Sequence, residues 1–122
     1  MRLYNTLTRE VEEVRPLEDR IVEIYTCGPT VYRRAHIGNL RTFLLTDLVR
    51  RALEFEGLRV TQIINITDVG HMTDEVTDTG RDRMDLAAED EGLSPWEIAE
   101  KYTGLFLEDT RKLGILQAAG YP

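Results

Sequence analysis

Two short apolar runs flank one amphipathic stretch in the first half of the chain. The run IVEIYTCG (21–28) is rich in β-branched residues and stops at a Gly-Pro pair, and LRVTQIINIT (58–67) has the same character, so each predicts a strand. Between Asn39 and Glu56 the apolar residues recur at steps of three and four, namely Leu40, Phe43, Leu44, Leu48, Ala52 and Phe55. This period predicts an amphipathic helix buried along that face, with Gly57 just past its end.

The order strand, helix, strand within about forty-five residues predicts a βαβ unit, in which the two strands are parallel and the crossover is right-handed. Ligands of such sheets lie beyond the carboxyl ends of the strands. The segment CGPTVYRRAHIGN follows the first strand and NITDVGH follows the second. We therefore expect an α/β fold, a partial Rossmann-like parallel sheet with flanking helices, whose two polar segments converge on one crevice.

The remaining segments contribute less regular structure. The first twenty residues predict a short extended arm with an acidic turn, the segment 72–82 a polar loop, and 83–91 a short helix ending at Gly92. Ser94, Pro95 and Glu97 form a capping-box pattern for a last helix that ends before Gly114. Residues at helical spacing are expected to line its buried face, namely Trp96, Ala99, Tyr102, Phe106 and Leu113.

The final residues, ILQAAGYP, close no recognisable element. A doubly wound sheet needs more strands than 122 residues supply here. The sequence therefore predicts one domain over residues 1–122, the N-terminal half of a Rossmann-fold nucleotide-binding catalytic domain that is cut short. An incomplete sheet exposes an edge and an uncovered face, so self-association is a further expectation.

Composition narrows the class of protein. Hydrophobic residues make up 42% of the chain and charged residues 30%, with a formal charge of -7, which argues against a broad phosphate-binding surface. No run is long enough to span a membrane, and the start lacks the apolar stretch of a secretory signal. A single cysteine excludes an internal disulfide, so we expect a cytoplasmic protein without a membrane partner.

His36 stands just before the predicted helix, in AHIGN. The unpaired amides and positive dipole end of a helix start attract phosphate, and Gly38 would let a phosphate approach the backbone. An imidazole there could donate a hydrogen bond to a phosphate oxygen as charge builds in a transition state. The alternative is a histidine that packs against or caps the helix, and both interpretations stay open.

Cys27 ends the first strand at the rim of the expected crevice. It could be a small buried hydrophobe, a nucleophile, or one ligand of a zinc ion, which would need about three more. His71 is the second histidine and follows the second strand closely. No complete metal site can be assembled from these residues.

Asn65, Thr67 and Asp68 end the second strand and could orient a substrate amine or hydroxyl, or close an Asx-type turn. Two groups of polar residues complete the candidates. Those after the first strand could contact a ligand, namely Tyr32, Arg33 and Arg34, whereas others predict a solvated face, namely Arg50, Arg51 and Arg59.

Taken together, three segments resemble the cysteinyl-tRNA synthetases in residue pattern, order and spacing. They are LYNTLTRE (3–10), YTCGPTVYRRAHIGNLRTFLLTDLVRRALEFEG (25–57) and VTQIINITDVG (60–70). The likeness continues more weakly through SPWEIAEKYTGLFLEDTRKLGI (94–115). It implies the first βαβ half of a class I, HUP-type Rossmann catalytic domain. In that family the enzyme activates cysteine with ATP and transfers the cysteinyl group to tRNA(Cys), so cysteine, ATP and tRNA(Cys) are the implied partners of a full-length protein.

The resemblance also implies site residues. The HIGN motif becomes the ATP-phosphate strip, with His36 and Asn39 as its catalytic members; Asn39 replaces a histidine but still donates and accepts hydrogen bonds. The ATP-binding set is Thr30, His36, Ile37, Gly38 and Asn39. The cysteine-binding set is Cys27, Gly28 and Thr67, and Cys27 is also the first zinc ligand. A zinc–thiolate bond would reject serine and alanine without editing.

Departures from the family pattern keep two alternatives open. The residues after NITDV differ from the acidic run of most relatives, and the other zinc ligands, the KMSKS-type loop and the anticodon-binding domain are absent. We therefore expect the chain to be inactive or feeble by itself and to bind zinc weakly. The alternatives are a truncated non-catalytic paralogue that binds a nucleotide or a protein partner, and a ligase that joins cysteine to an amino sugar in mycothiol synthesis.

Overall fold

The computed structural model describes residues 1–16, 18–68 and 83–122. In these ranges the chain forms the following elements in order: β1 (Arg2–Asn5), β2 (Glu10–Glu13), β3 (Ile21–Thr30), α1 (Ile37–Phe55), β4 (Arg59–Thr67), α2 (Arg83–Glu91) and α3 (Pro95–Lys112). Within that part of the chain, no helix is both long enough and apolar enough to cross a membrane. The polar segment expected as a loop, 72–82, lies outside the described residues.

The central prediction is confirmed, because β3 and β4 pair in parallel and α1 connects them. The register runs from Ile21 opposite Arg59 to Thr30 opposite Thr67, with a shift between Cys27 and Thr30. The first strand does not stop at its Gly-Pro pair as expected. It continues through the irregularity, which places Thr30 rather than Gly28 at its carboxyl end.

The last residues of the chain form a third parallel partner of the sheet. The carbonyl of Gln62 accepts from Ala119 N–H at 2.7 Å, and Ile66 N–H donates to the carbonyl of Pro122 at 2.8 Å. Between them, Ile63 and Gly120 form a parallel bridge. The expectation that ILQAAGYP closes no element is therefore wrong: this segment extends the sheet on the side of β4 away from β3.

The N-terminal arm differs from its prediction, whereas the predicted cap of α3 does not. The extended arm is an antiparallel hairpin of β1 and β2, with Arg2 opposite Glu13. At the other end the predicted capping box is confirmed, since the Ser94 hydroxyl accepts from Glu97 N–H and the Glu97 carboxylate accepts from Ser94 N–H at 2.8 Å.

The covered face of the sheet contributes to two adjoining core clusters. One joins Val31 to α2 and α3; the other brings Phe43 of α1 edge-on to Phe106 of α3, with ring centroids 4.9 Å apart, and adds Ile115. Ile66 of β4 packs against both clusters. The sheet, α1 and α3 are thus held around residues from the carboxyl half of β4.

The apolar face of α1 is only partly buried. Phe43 and Leu53 are buried, but Leu48 is 58% exposed, Phe55 is 94% exposed, and Ala52 is exposed as well. The predicted set of buried positions was therefore wrong for its second half. The sheet is narrow, so it covers only one stripe of α1, and apolar residues on the other side of this helix stay exposed.

The buried face of α3 was also predicted only in part. Ala99 and Phe106 are buried and Tyr102 is half-buried, but Trp96 is 74% exposed and Leu113 is exposed. Helical spacing identifies neighbouring positions on a helix surface, but it does not tell which stripe faces the protein.

Polar groups of α1 hold the C-terminal segment in place. Asp47 is 4% exposed and accepts from Leu116 N–H at 2.9 Å and from Arg51 Nε at 2.7 Å. Arg51 Nη2 donates to the carbonyl of Gly114 at 2.7 Å, and Arg50 Nη1 donates to the carbonyl of Gln117 at 2.9 Å. The prediction of a solvated face is therefore wrong for Arg50, which is half-buried, whereas Arg51 is exposed as predicted but also holds the C-terminal segment.

Candidate functional site

The two polar segments meet at the carboxyl end of the β3–β4 pair, as expected. Cys27 lies opposite Asn65 and Thr30 lies opposite Thr67 in the register. Just beyond the strands, Val31 N–H donates to the carbonyl of Thr67 at 3.0 Å. Side chains at directly opposed positions share a face of the sheet, so Cys27 and Asn65 lie side by side at this end.

Gly28 allows β3 to approach β4 closely at the register shift. A Cβ at this position would lie 2.0 Å from the backbone oxygen of Asn65 and 2.9 Å from Ile64 Cγ2. Neither atom can move away without disturbing β4. The structure therefore gives Gly28 a steric role in strand pairing, whereas its role in substrate binding stays a prediction.

Cys27 is an exposed free thiol and not a buried hydrophobe. Among the described residues there is no group of three histidine, cysteine, aspartate or glutamate side chains that could hold a metal ion. The described residues therefore do not fit a zinc site, since a structural or catalytic zinc takes three or four protein ligands. His71, which sequence analysis considered nearby, lies outside the described residues.

His36 caps α1, which is one of the two roles that the sequence left open. Its Nδ1 accepts from the N–H groups of Gly38 at 3.1 Å and Asn39 at 3.4 Å. In return, His36 N–H donates to Asn39 Oδ1 at 3.2 Å, which completes a reciprocal capping box. The helix start thus satisfies its own first amides with the two polar side chains of the HIGN motif.

This capping box determines which hydrogen-bonding groups remain for a ligand. Because Nδ1 accepts two hydrogen bonds, the neutral imidazole of His36 carries its hydrogen on Nε2. Because Asn39 Oδ1 accepts from the backbone, the amide nitrogen of Asn39 is left to donate. Both groups are exposed, so the motif presents two donors and no strong acceptor to a ligand at the helix start.

Gly38 has a different role from the one expected. A Cβ on Gly38 would lie 2.9 Å from Cε1 and 3.0 Å from Nδ1 of His36. The missing side chain therefore makes room for the capping imidazole, while the Gly38 amide donates to that ring instead of to a phosphate. Ile37, also in the predicted ATP-binding set, is 86% exposed beside it.

A small hollow connects the strand ends to the helix start. It is lined by Pro29, Thr30, Tyr32, Arg33, Arg34, Ala35 and Asn39 and has a volume of 90 Å³. Ligand pockets for whole small molecules are usually about 300–1,000 Å³. The hollow therefore brings Thr30 and Asn39 of the predicted ATP-binding set together around a space that fits one small group, not a whole nucleotide.

Two arginines beside this hollow differ in their partners. Arg33 lies over the ring of Tyr32, with its guanidinium carbon 5.2 Å from the centroid. Arg34 makes a two-pronged ion pair with Asp109 of α3, from Nε at 2.9 Å and Nη2 at 2.8 Å. The pair ties the loop that precedes His36 to the far end of the last helix.

These hydrogen bonds shift the ionisation of both partners. The Arg34 guanidinium holds the pKa of the Asp109 carboxyl below its ordinary value, and Asp109 raises the pKa of Arg34 in turn. Sequence analysis offered Arg34 as a ligand contact and did not single out Asp109. The two are 75 positions apart, so no local pattern could connect them.

The sequence matches a known protein family over most of its length. A family model described as the catalytic domain of class I (C) tRNA synthetases matches residues 13–122. The chain belongs to this family. The α/β architecture, with a parallel pair of strands and flanking helices, agrees with the N-terminal part of such a catalytic domain.

Individual relatives carry matching names. A cysteine–tRNA ligase of Novosphingobium aromaticivorans is 47% identical over 119 residues, which is 98% of this chain and 24% of the relative. Cysteine–tRNA ligases of Treponema denticola and Salinibacter ruber are 49% and 50% identical, covering 94% and 93% of this chain and 23% of each relative. The chain therefore spans about a quarter of the length of these relatives.

Proposed function

We propose that this chain supplies the first part of the catalytic site of a cysteine–tRNA ligase. The reaction is the ATP-dependent activation of cysteine to cysteinyl-adenylate, followed by transfer to tRNA(Cys). The observation that supports the proposal is the hollow that brings Thr30, opposite Thr67 at the paired strand ends, together with Asn39 of the capped helix start. The names of the relatives support the choice of cysteine.

Activation needs alignment and charge stabilisation more than it needs a nucleophilic side chain. The carboxylate oxygen of cysteine attacks the α-phosphorus of ATP, a new P–O bond forms, and the bond to the bridging oxygen breaks as pyrophosphate leaves. Charge accumulates on phosphate oxygens, where fixed hydrogen-bond donors stabilise it. His36 Nε2–H and the Asn39 amide group are two such donors, held in place by their reciprocal hydrogen bonds.

The cysteine half of the site is proposed at the strand ends. Cys27, Gly28 and Thr67 lie at or near the carboxyl ends of β3 and β4, and Thr67 offers a hydroxyl to the substrate. Zinc binding at Cys27 also stays a proposal, but the described residues do not complete such a site. We expect zinc to be lost from the chain on dialysis, as measured by elemental analysis; stoichiometric zinc that survives dialysis would contradict this expectation.

Two experiments test the proposed function. In the first, this chain replaces the matching quarter of the Treponema denticola ligase, and cysteine-dependent exchange of pyrophosphate with ATP is measured. The chimera should exchange pyrophosphate and charge tRNA(Cys), whereas this chain alone should do neither. A chimera that folds but shows no exchange with cysteine contradicts the proposal.

The second experiment separates the two halves of the site within the chimera. His36→Ala should lower the rate of adenylate formation more than it weakens cysteine binding, because its imidazole faces the phosphates. Cys27→Ser should abolish cysteine activation while the protein stays folded. Equal losses of rate and cysteine affinity in His36→Ala would contradict the phosphate role.

The two alternatives that the sequence left open are less well supported than the tRNA ligase. The relatives reported above are named as tRNA ligases and not as amino-sugar ligases. Nucleotide binding without pyrophosphate exchange in the chimera would favour a non-catalytic paralogue. Cytoplasmic location and self-association remain predictions; the latter is measured by light scattering across a range of concentrations.

A further inference from the structure

A groove on the α3 side of the sheet has no part in the proposed catalytic site. It has a volume of 360 Å³, which is within the range of about 300–1,000 Å³ that is usual for ligand pockets. One wall is the first half of α3, and the other is formed by the end of β4 and the last residues of the chain. Its lining includes Ile66, Asp68, Trp96, Ala99, Glu100 and Tyr121.

The groove and the proposed cysteine half of the site lie on opposite faces of the sheet. Successive side chains of a strand are directed to opposite faces, so Ile66 is directed away from the face that carries its neighbours Asn65 and Thr67. Ile66 packs against both core clusters, which identifies its face as the one that α1 and α3 cover. A ligand in this groove would therefore not share the space of the substrate amino acid.

Trp96 gives the groove an exposed aromatic wall. Its side chain is 74% exposed, which is unusual for the largest apolar side chain of a protein. Glu100 is four positions farther along α3, so the two side chains are neighbours on the helix surface. Ile66 and Tyr121 add apolar surface from the facing wall. An indole face, a carboxylate and apolar surface thus meet in one groove.

The groove is also acidic. The charged side chains that line it, Asp68 and Glu100, are both carboxylates. Of the four carboxylates of α3, Glu100 alone makes no hydrogen bond or ion pair with a described residue. The other three have partners within the chain, namely Glu97, Glu108 and Asp109. An unpaired carboxylate beside an exposed indole fits a cation that carries an apolar stem.

The chain itself shows how an arginine fits such surfaces. The guanidinium carbon of Arg33 lies 5.2 Å from the centroid of the Tyr32 ring, and Arg34 makes a two-pronged ion pair with Asp109. Guanidinium is a planar fork that stacks on aromatic faces and binds carboxylates, whereas an ammonium group is a compact point charge. The groove offers both kinds of contact to one guanidinium group.

We propose that this groove binds an arginine side chain of another protein. The guanidinium group stacks on the indole of Trp96 and donates to the carboxylate of Glu100, while the methylene stem lies along Ile66 and Tyr121. The formal charge of -7 on the chain attracts a basic partner to this surface. The inference does not depend on the proposed ligase function.

The test uses the unmodified 122-residue chain and the fluorescence of Trp96, its only tryptophan. Three probes are titrated, namely a blocked Gly-Arg-Gly peptide, the same peptide with citrulline in place of arginine, and spermidine. Citrulline has nearly the shape of arginine but no charge. The arginine peptide should change the fluorescence and bind about tenfold more tightly than the citrulline peptide. It should also bind more tightly than spermidine, which has more charge but no planar group.

Three variants separate recognition in the groove from general attraction to an acidic protein. Glu100→Gln should weaken binding of the arginine peptide about threefold to fivefold and leave citrulline binding unchanged. Glu108→Gln, the matched control, removes the same charge from the same helix outside the groove, and should leave both affinities unchanged. Trp96→Leu keeps an apolar side chain without the aromatic face, so the preference for arginine should fall, as measured by the ¹⁵N shifts of Ala99 and Thr103.

Each outcome decides the inference. Equal affinities for the arginine and citrulline peptides overturn it, as does an equal loss in Glu100→Gln and Glu108→Gln, which would show attraction to net charge alone. Spermidine binding as tight as that of the arginine peptide would make the groove a site for free amines and overturn the protein partner. A chain that binds none of the probes overturns it too. The proposed function stands in all of these cases, since it is tested by pyrophosphate exchange.

Discussion

The helix start and the strand ends are two halves of one candidate site, but they treat their polar groups in opposite ways. At the start of α1 the side chains of His36 and Asn39 are used locally, because each accepts hydrogen bonds from the backbone of the motif. At the strand ends, the buried oxygen of Asn65 finds no donor among the described residues, and Cys27 is exposed.

This difference suggests how each half handles a ligand. A capped helix start is preorganised: it loses no hydrogen bond when a phosphate arrives, and its outward donors are already oriented. The strand ends depend instead on the close approach of β3 and β4 at Gly28, so their side chains stay in place only while the two strands are paired. The predictions below test the contrast, from the largest expected effect to the smallest.

Gly28→Ala should have the largest effect because it disrupts the pairing of β3 and β4, on which the strand-end half of the candidate site depends. The new Cβ would lie 2.0 Å from a backbone oxygen of β4, so β3 and β4 must separate locally. We expect a loss of about 4 kcal/mol or more in the free energy of unfolding, measured in urea.

Gly104→Ala is the matched control for that variant. Gly104 lies within α3, and a Cβ there would meet no atom within 4 Å. Its replacement should stabilise the chain by about 1 kcal/mol through helix propensity. Similar stabilities for the two variants would show that the close approach at Gly28 is not required.

His36→Ala should remove the helix cap and lower the free energy of unfolding by about 1 kcal/mol. His36→Asn restores a good capping residue but not the imidazole. Stability should therefore recover in His36→Asn, while the affinity for a non-hydrolysable ATP analogue should stay low in both variants. Recovery of both properties would show that His36 serves only as a cap.

The ion pair beside the hollow predicts a pH dependence. Since Arg34 lowers the pKa of Asp109 in the folded protein, the stabilisation is present above the ordinary carboxyl pKa of about 3.9 and is lost as pH falls through the lower, folded value. The stability difference between the unmodified chain and Asp109→Asn should be largest near neutral pH and shrink below about pH 4. A constant difference from pH 7 to pH 3 would contradict this.

Gly38→Ala should have the smallest effect on the free energy of unfolding. It nevertheless tests directly whether the start of α1 is held by its own cap. The new Cβ would displace the capping imidazole, but alanine favours the helix by about 1 kcal/mol over glycine, so the two effects nearly cancel. The ¹⁵N shifts of His36 should nevertheless change from those of a single Nε2–H tautomer to a mixture. An unchanged spectrum would mean that the ring does not need the space at Gly38.

Much of the fold could be predicted from the sequence because its signals are local. The β-branched runs, the helical period between them and the Ser94 capping box each lie within one element, and all three were confirmed. The order of these elements was enough to bring Cys27 and Thr67 to one end of the sheet.

What the sequence did not reveal depends on contacts between distant segments. The partners Arg34 and Asp109 come from separate elements, as do Asp47 and Leu116. The role of Gly28 depends on a register shift of β3 against β4 that no motif encodes. The exposure of Phe55 shows that an apolar period alone cannot tell which stripe of a helix has a neighbour.

The fastening of the C-terminal segment by α1 has a consequence for the order in which the protein assembles. The carboxylate of Asp47 and the guanidinium groups of Arg50 and Arg51 bond residues 114–117. These three side chains share one face only once the helix has wound. The attachment of the tail therefore depends on a formed α1 as well as on β4, and we expect its amides to be the first of the sheet to exchange with deuterium when the protein opens locally.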